Sequence, residues 1–112
     1  MSEYNPDVWV VLKFTTPKYA MYKVLAGWYG GFATGDSWKL NSGITKVTED
    51  GDFFCFDGWS GSTYRCHKSA YRMSGMTSSV LASFQKDIET TDGVTIEVMP
   101  EDTNWMELDY GE

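Results

Sequence analysis

Residues 44–68 read ITKVTEDGDFFCFDGWSGSTYRCHK, and how this stretch folds back on itself decides the architecture. β-Branched and aromatic residues dominate ITKVTE (44–49) and DFFCFD (52–57), the composition of half-buried strands. Asp50–Gly51 between them is among the strongest two-residue hairpin signals. With that pair as the loop, Val47 faces Phe54 and Lys46 faces Cys55. A second reversal at Ser60–Gly61 pairs Trp59 with Ser62, Asp57 with Tyr64 and Cys55 with Cys66. This register sets the two thiols opposite each other. A disulfide is open to them, and free thiols are the state that a reducing compartment favours.

On the N-terminal side, VWVVLKF (8–14) reads as a buried strand ended by Thr15, Thr16 and Pro17. In AMYKVLAGWY (20–29), Tyr22, Val24 and Trp28 alternate with Lys23 and Leu25, the period of a second strand. GGFATGDS turns the chain through Gly30–Gly31 and Thr34–Gly35; SWKLN (37–41) follows as a strand, and Ser42–Gly43 turns again. After Lys68 the period changes. SSVLASFQKDIETT (78–91) sets Val80, Leu81, Phe84 and Ile88 on one helical face, capped by Thr77 or Ser78 and stopped by Asp92–Gly93. VTIEVM (94–99) is the last strand, ended by Pro100.

The expected fold class is therefore α+β: an antiparallel β-meander of about six to seven strands with one packed helix. A single domain covers residues 1–99, and residues 100–112 form an acidic C-terminal tail. Trp105, Met106, Leu108 and Tyr110 leave three readings of that tail open: disorder, docking to a basic partner, or folding back over the body, which is preferred.

Hydrophobic residues make up 42% of the 112 and aromatic ones 16%, enough for a core and too many for general disorder. Five tryptophans and seven tyrosines exceed what such a core needs, so some belong to a contact surface. The net charge of −7 is unevenly placed. Six acids and no base lie in 97–112, which leaves ten acids against nine bases elsewhere. GWSGSTYRCHKSAYRMSG (58–75) has Arg65, Lys68, Arg72 and the single histidine, His67, and no acid. Overall acidity argues against duplex nucleic acid, which requires an extended basic face, whereas one compact anion needs far less. The start of the chain has no basic leader and no run long enough to span a membrane, so cytoplasmic location is the expectation.

Catalytic signatures are missing. One histidine rules out mechanisms that need two, GWSGS is not a G-x-S-x-G elbow, and Asp36 and Asp57 read as turn acids. The expectation is a non-enzyme with no catalytic residues and no cofactor. Cys66 and His67 are adjacent and point to opposite faces of a strand, so with Cys55 they make no closed metal site.

What remains is an inventory for a phosphate-bearing ligand. Thr63, Arg65 and His67 share a strand face, and Arg65 supplies a planar fork for phosphate. Lys68, Tyr71 and Arg72 follow in a loop. Ser60 and Ser62 offer hydroxyls, Asn41 can orient a base, and Trp59 or Trp38 can stack on one. The same residues also make an ordinary turn and an ordinary solvent-facing strand.

The segments GWYGGFATGDSWKLNSGI, GSTYRCHKSAY and VTIEVMPEDTNW together resemble a group of small tailed-bacteriophage proteins, over most of residues 5–105. The resemblance brings no assigned catalytic residues. It implies a phage-encoded protein acting in the bacterial host cytoplasm, in company where anti-defence roles are common. Two functional expectations follow. One is a sponge that sequesters a cyclic or ADP-ribose-type nucleotide signal without catalysis, with a homo-oligomer sharing the sites. The alternative is an inhibitor or adaptor that binds a host protein through its aromatic surface and acidic tail. A small hydrolase trails both.

Overall fold

A run without alternation, such as VWVVLKFT, is what a strand covered on both faces requires, and in the computed structural model it lies at the centre of the molecule. The structure describes residues 2–31 and 35–111. The strands are β1 (Glu3–Tyr4), β2 (Val8–Thr15), β3 (Ala20–Gly31), β4 (Gly35–Leu40), β5 (Ile44–Asp50), β6 (Phe53–Gly58), β7 (Thr63–His67) and β8 (Thr95–Val98). A 3-10 turn (Lys68–Ala70) and one helix, α1 (Gly75–Asp87), separate β7 from β8. The fold is α+β.

The strands divide into two four-stranded sheets, ordered β4-β3-β2-β8 and β1-β7-β6-β5. From β2, Trp9 and Val11 join a core with Phe56, Tyr64 and Cys66 of the second sheet. Val10 and Leu12, on its other face, pack with Leu81 of α1 and Ile96 of β8. The layers therefore run sheet, sheet, helix. The expected meander holds for β2–β3–β4 and for β5–β6–β7, is broken between β4 and β5, where the chain passes from one sheet to the other, and ends with β8 beside β2 rather than beside β7. Asn41 marks the crossing: its backbone N–H donates to the Val24 carbonyl at 3.0 Å, and its Oδ1 accepts from the Val24 N–H at 2.9 Å. β1 is an addition that two residues of sequence do not announce; it pairs in parallel with β7.

Both expected hairpin registers are corrected. In β5–β6, Asp50 faces Phe53 and Val47 faces Phe56, a slip of two residues. An Asp50–Gly51 loop of the favoured type would need positive φ at the aspartate. Among the described residues only glycines have positive φ, so the loop becomes Gly51–Asp52 with φ +58° at Gly51. In β6–β7 the slip is one residue: Phe54 faces Cys66, Cys55 faces Arg65 and Phe56 faces Tyr64. The loop is Trp59–Gly61, closed by Gly58 N–H to the Ser62 carbonyl at 3.0 Å, with φ +92° at Gly61. A slip of one residue moves a side chain to the other face. The cysteines therefore do not meet: Cys66 is buried between the sheets and Cys55 is half-buried on the outer face. The turn expected at Thr34–Gly35 falls partly on 32–34, outside the described residues.

The helix starts earlier than Thr77 or Ser78. Ser74 is the cap; its Oγ accepts from the Thr77 N–H at 3.1 Å, and Thr77 Oγ1 accepts from the Ser74 N–H at 2.8 Å, a capping box. Thr77 is thus the third helical residue, and it faces Gly27, where a Cβ would lie 2.8 Å from Thr77 Cγ2. The glycine of GWYGG is there to let the helix approach β3. At the C-terminus, Trp105 is 2% exposed and packs against Trp9, Phe56 and Tyr71, so this segment folds back into the inter-sheet core.

Candidate functional site

Strand alternation puts Thr63, Arg65 and His67 on the outer face of the second sheet, as their spacing requires, and the neighbouring strands supply their partners. Arg65 Nη1 lies 2.6 Å from Asp50 Oδ2, and the guanidinium carbon sits 4.1 Å from the centre of the Phe53 ring. The hydrogen bond from Arg65 to Asp50 is the main cause of an arginine pKa raised above its ordinary value. Lys68 pairs with Glu49 and lies over the Phe54 ring. Thr63 Oγ1 donates to Asp57 Oδ1 at 2.7 Å. His67 Nδ1 accepts from the Ser69 N–H at 3.1 Å and caps the 3-10 turn. A segment without acids in sequence thus faces acids from β5 and β6 in space.

Tyr71 is a strut of the core. Its hydroxyl donates to the Met99 carbonyl at 2.6 Å and accepts from the Val11 N–H at 3.1 Å, and burial raises its pKa to about 12. Arg72 is exposed and has no ion pair among the described residues.

The loop 59–61 docks on the 41–43 turn. Trp59 N–H donates to the Gly43 carbonyl at 3.1 Å and Ser60 N–H to Ser42 Oγ at 2.9 Å. The Trp59 indole lies against Gly43, where a Cβ would come within 2.8 Å of Cδ1, yet Trp59 remains 67% exposed. Ser62 contributes its carbonyl to the loop closure. Nearby, Asn41 is 3% exposed, and its Nδ2, 2.9 Å from where a Gly58 Cβ would lie, has no hydrogen-bond partner among the described residues. The structure thus docks Trp59 and Ser60 on the turn that follows Asn41, whose Nδ2 lies next to Gly58, while Arg65 and His67 lie along β7 among their own partners.

Trp38 is elsewhere. It stands on the helix side of β4, edge-on to Phe84 at 5.9 Å, with the first sheet between it and the outer face that carries Arg65. Near it lies an open apolar cleft of about 250 Å³ at the C-terminal end of α1. Phe14, Leu40, Phe84, Ile88 and Ile96 form its walls, and Asp87 is the one charged lining residue among the described residues. Its lining comes from β2, β4, α1 and β8 at once, so no local motif marks it; the helical face of Phe84 and Ile88 supplies one wall, and Trp38, 41% exposed, stands beside Phe84.

No protein-family model, curated protein or solved structure matches the chain. Among the described residues no cluster of side chains fit for a metal ion occurs, and no helix is long and apolar enough to cross a membrane.

Proposed function

We propose that this protein is a binding module that docks another protein, acting as an inhibitor or adaptor, with the cleft beside Trp38 as its anchor point. The observation that carries the reading is the cleft itself: an open, apolar depression with an exposed tryptophan next to one wall. Apolar side chains seated in a well-packed depression contribute most of the energy of a protein interface. Glu101, Asp102, Glu107 and Asp109 stay exposed around the buried Trp105 and supply long-range steering toward a basic surface. A phage-infected cell, with a host protein as the target, is the setting that the sequence resemblance suggests. The test is capture from bacterial lysate on immobilised wild-type protein and on Trp38→Ala, with circular dichroism showing that both are folded. A partner held by the wild type and released by the variant supports the reading; identical retention on both overturns it.

A second reading, sequestration of a cyclic or ADP-ribose-type nucleotide, keeps one specific observation in its favour. The orphaned Asn41 Nδ2 lies against Gly58, next to Ser42, whose Oγ accepts from the Ser60 N–H. It is weakened by the carboxylates already paired with Arg65 and Lys68. A nucleotide panel that leaves the melting temperature unchanged removes it.

A further inference from the structure

Resting on the docking reading, we infer that the segment this cleft accepts is cationic: one aliphatic or aromatic side chain for the cleft, flanked by lysine or arginine. The cleft volume of about 250 Å³ falls just below the range of small-molecule sites, which suits a single large side chain better than a cofactor. Chemistry at the mouth then selects what flanks that side chain. Asp87 is the last residue of α1 and lines the cleft, and it makes no ion pair among the described residues. The carbonyl end of a helix carries roughly half a negative charge, so the helix and Asp87 present the same sign at the same place.

The neighbours extend this field. Exposed Glu89 follows the lining residue Ile88, and exposed Asp92 lies in the turn beyond it, whereas Glu97 stands on the opposite face of β8 from Ile96, beside Lys13. Two cations oppose them. Lys23 has its Nζ 5.4 Å from the centre of the Phe14 ring, and Lys86 is exposed in the last turn of α1. The balance is acidic, and an acidic segment docking here would bring carboxylates against both Asp87 and the helix end. A basic segment gains charge-assisted hydrogen bonds at the same positions.

The experiment uses the full chain and two blocked tetrapeptides, Lys-Leu-Phe-Lys and Glu-Leu-Phe-Glu, titrated while the resonances of Leu40, Ile88 and Ile96 are followed. The lysine peptide is expected to move these resonances and to bind at least about tenfold tighter than the glutamate peptide. That preference shrinks with added salt and in Asp87→Asn, an exposed change that leaves the apolar walls intact. Equal affinities, or tighter binding of the glutamate peptide, overturn the cationic assignment while leaving the docking reading in place. If neither peptide moves the cleft resonances, the docking reading falls with it. Shifts that grow with protein concentration alone identify a second copy as the occupant and overturn the assignment.

Discussion

The indole N–H of Trp9 donates to the carbonyl of His67 at 2.7 Å, so a side chain of the central sheet holds the backbone of the outer one. The same ring packs on Phe56, Tyr71 and Trp105, at centroid distances of 5.4, 4.7 and 6.0 Å. Trp9→Phe removes the donor and leaves a small void. It is expected to cost about 2–4 kcal/mol, combining an unpaired carbonyl with lost packing. Denaturant unfolding checks this through a lower midpoint at unchanged slope.

The two thiols lie on opposite faces of the outer sheet, and burial pushes the Cys66 pKa well above its ordinary value. A thiol reagent is expected to label Cys55 in the native protein and Cys66 only on unfolding. Rapid labelling of both, or an intramolecular disulfide formed without denaturant, would contradict the β6–β7 register.

Tyr64 and Tyr71 both have pKa values raised to about 12, chiefly by burial, and burial also raises Tyr110. In the unfolded chain these phenols ionise near pH 10. Between the two values the native state holds more protons than the unfolded one, so stability falls as pH rises. The contribution is complete below pH 10 and is lost through pH 12. Phenolate absorbance is expected to rise in two stages, the second coinciding with loss of the near-ultraviolet dichroism.

Gly43 combines φ +133° with a tryptophan against its α-carbon. Gly43→Ala is expected to destabilise by about 1–3 kcal/mol from backbone strain, and to displace the Trp59 ring as well. In a Trp59→Ala background the steric part disappears and the backbone part remains, so a double-mutant cycle should show a smaller penalty there.

Strands and helix were legible because their periods are local: Val24 alternates with Lys23, and Leu81, Phe84 and Ile88 recur at helical spacing. The division into two sheets was not. Ser42–Gly43 has the composition of any turn, and only the bonds from Asn41 to Val24 show that the chain leaves the sheet there. The registers failed on single residues, since Asp50 had to be a strand end once positive φ was confined to Gly51. Arg65 and Lys68 looked free because Asp50 and Glu49 are distant in sequence and adjacent in space. Their electrostatics belongs to tertiary structure.

The link between Trp9 and His67 also bears on how the chain acquires its shape. Four of the strand pairings, β2–β3, β3–β4, β5–β6 and β6–β7, join consecutive strands, and isolated hairpins form in roughly microseconds. The contacts that unite them, Glu3 with Thr63, Lys13 with Glu97 and Trp9 with His67, close long loops. Loop closure of that kind slows folding to roughly milliseconds or seconds. Refolding should therefore begin with rapid hairpin formation and end with one slow event, in which the indole of Trp9 enters the gap between two sheets that are already zipped.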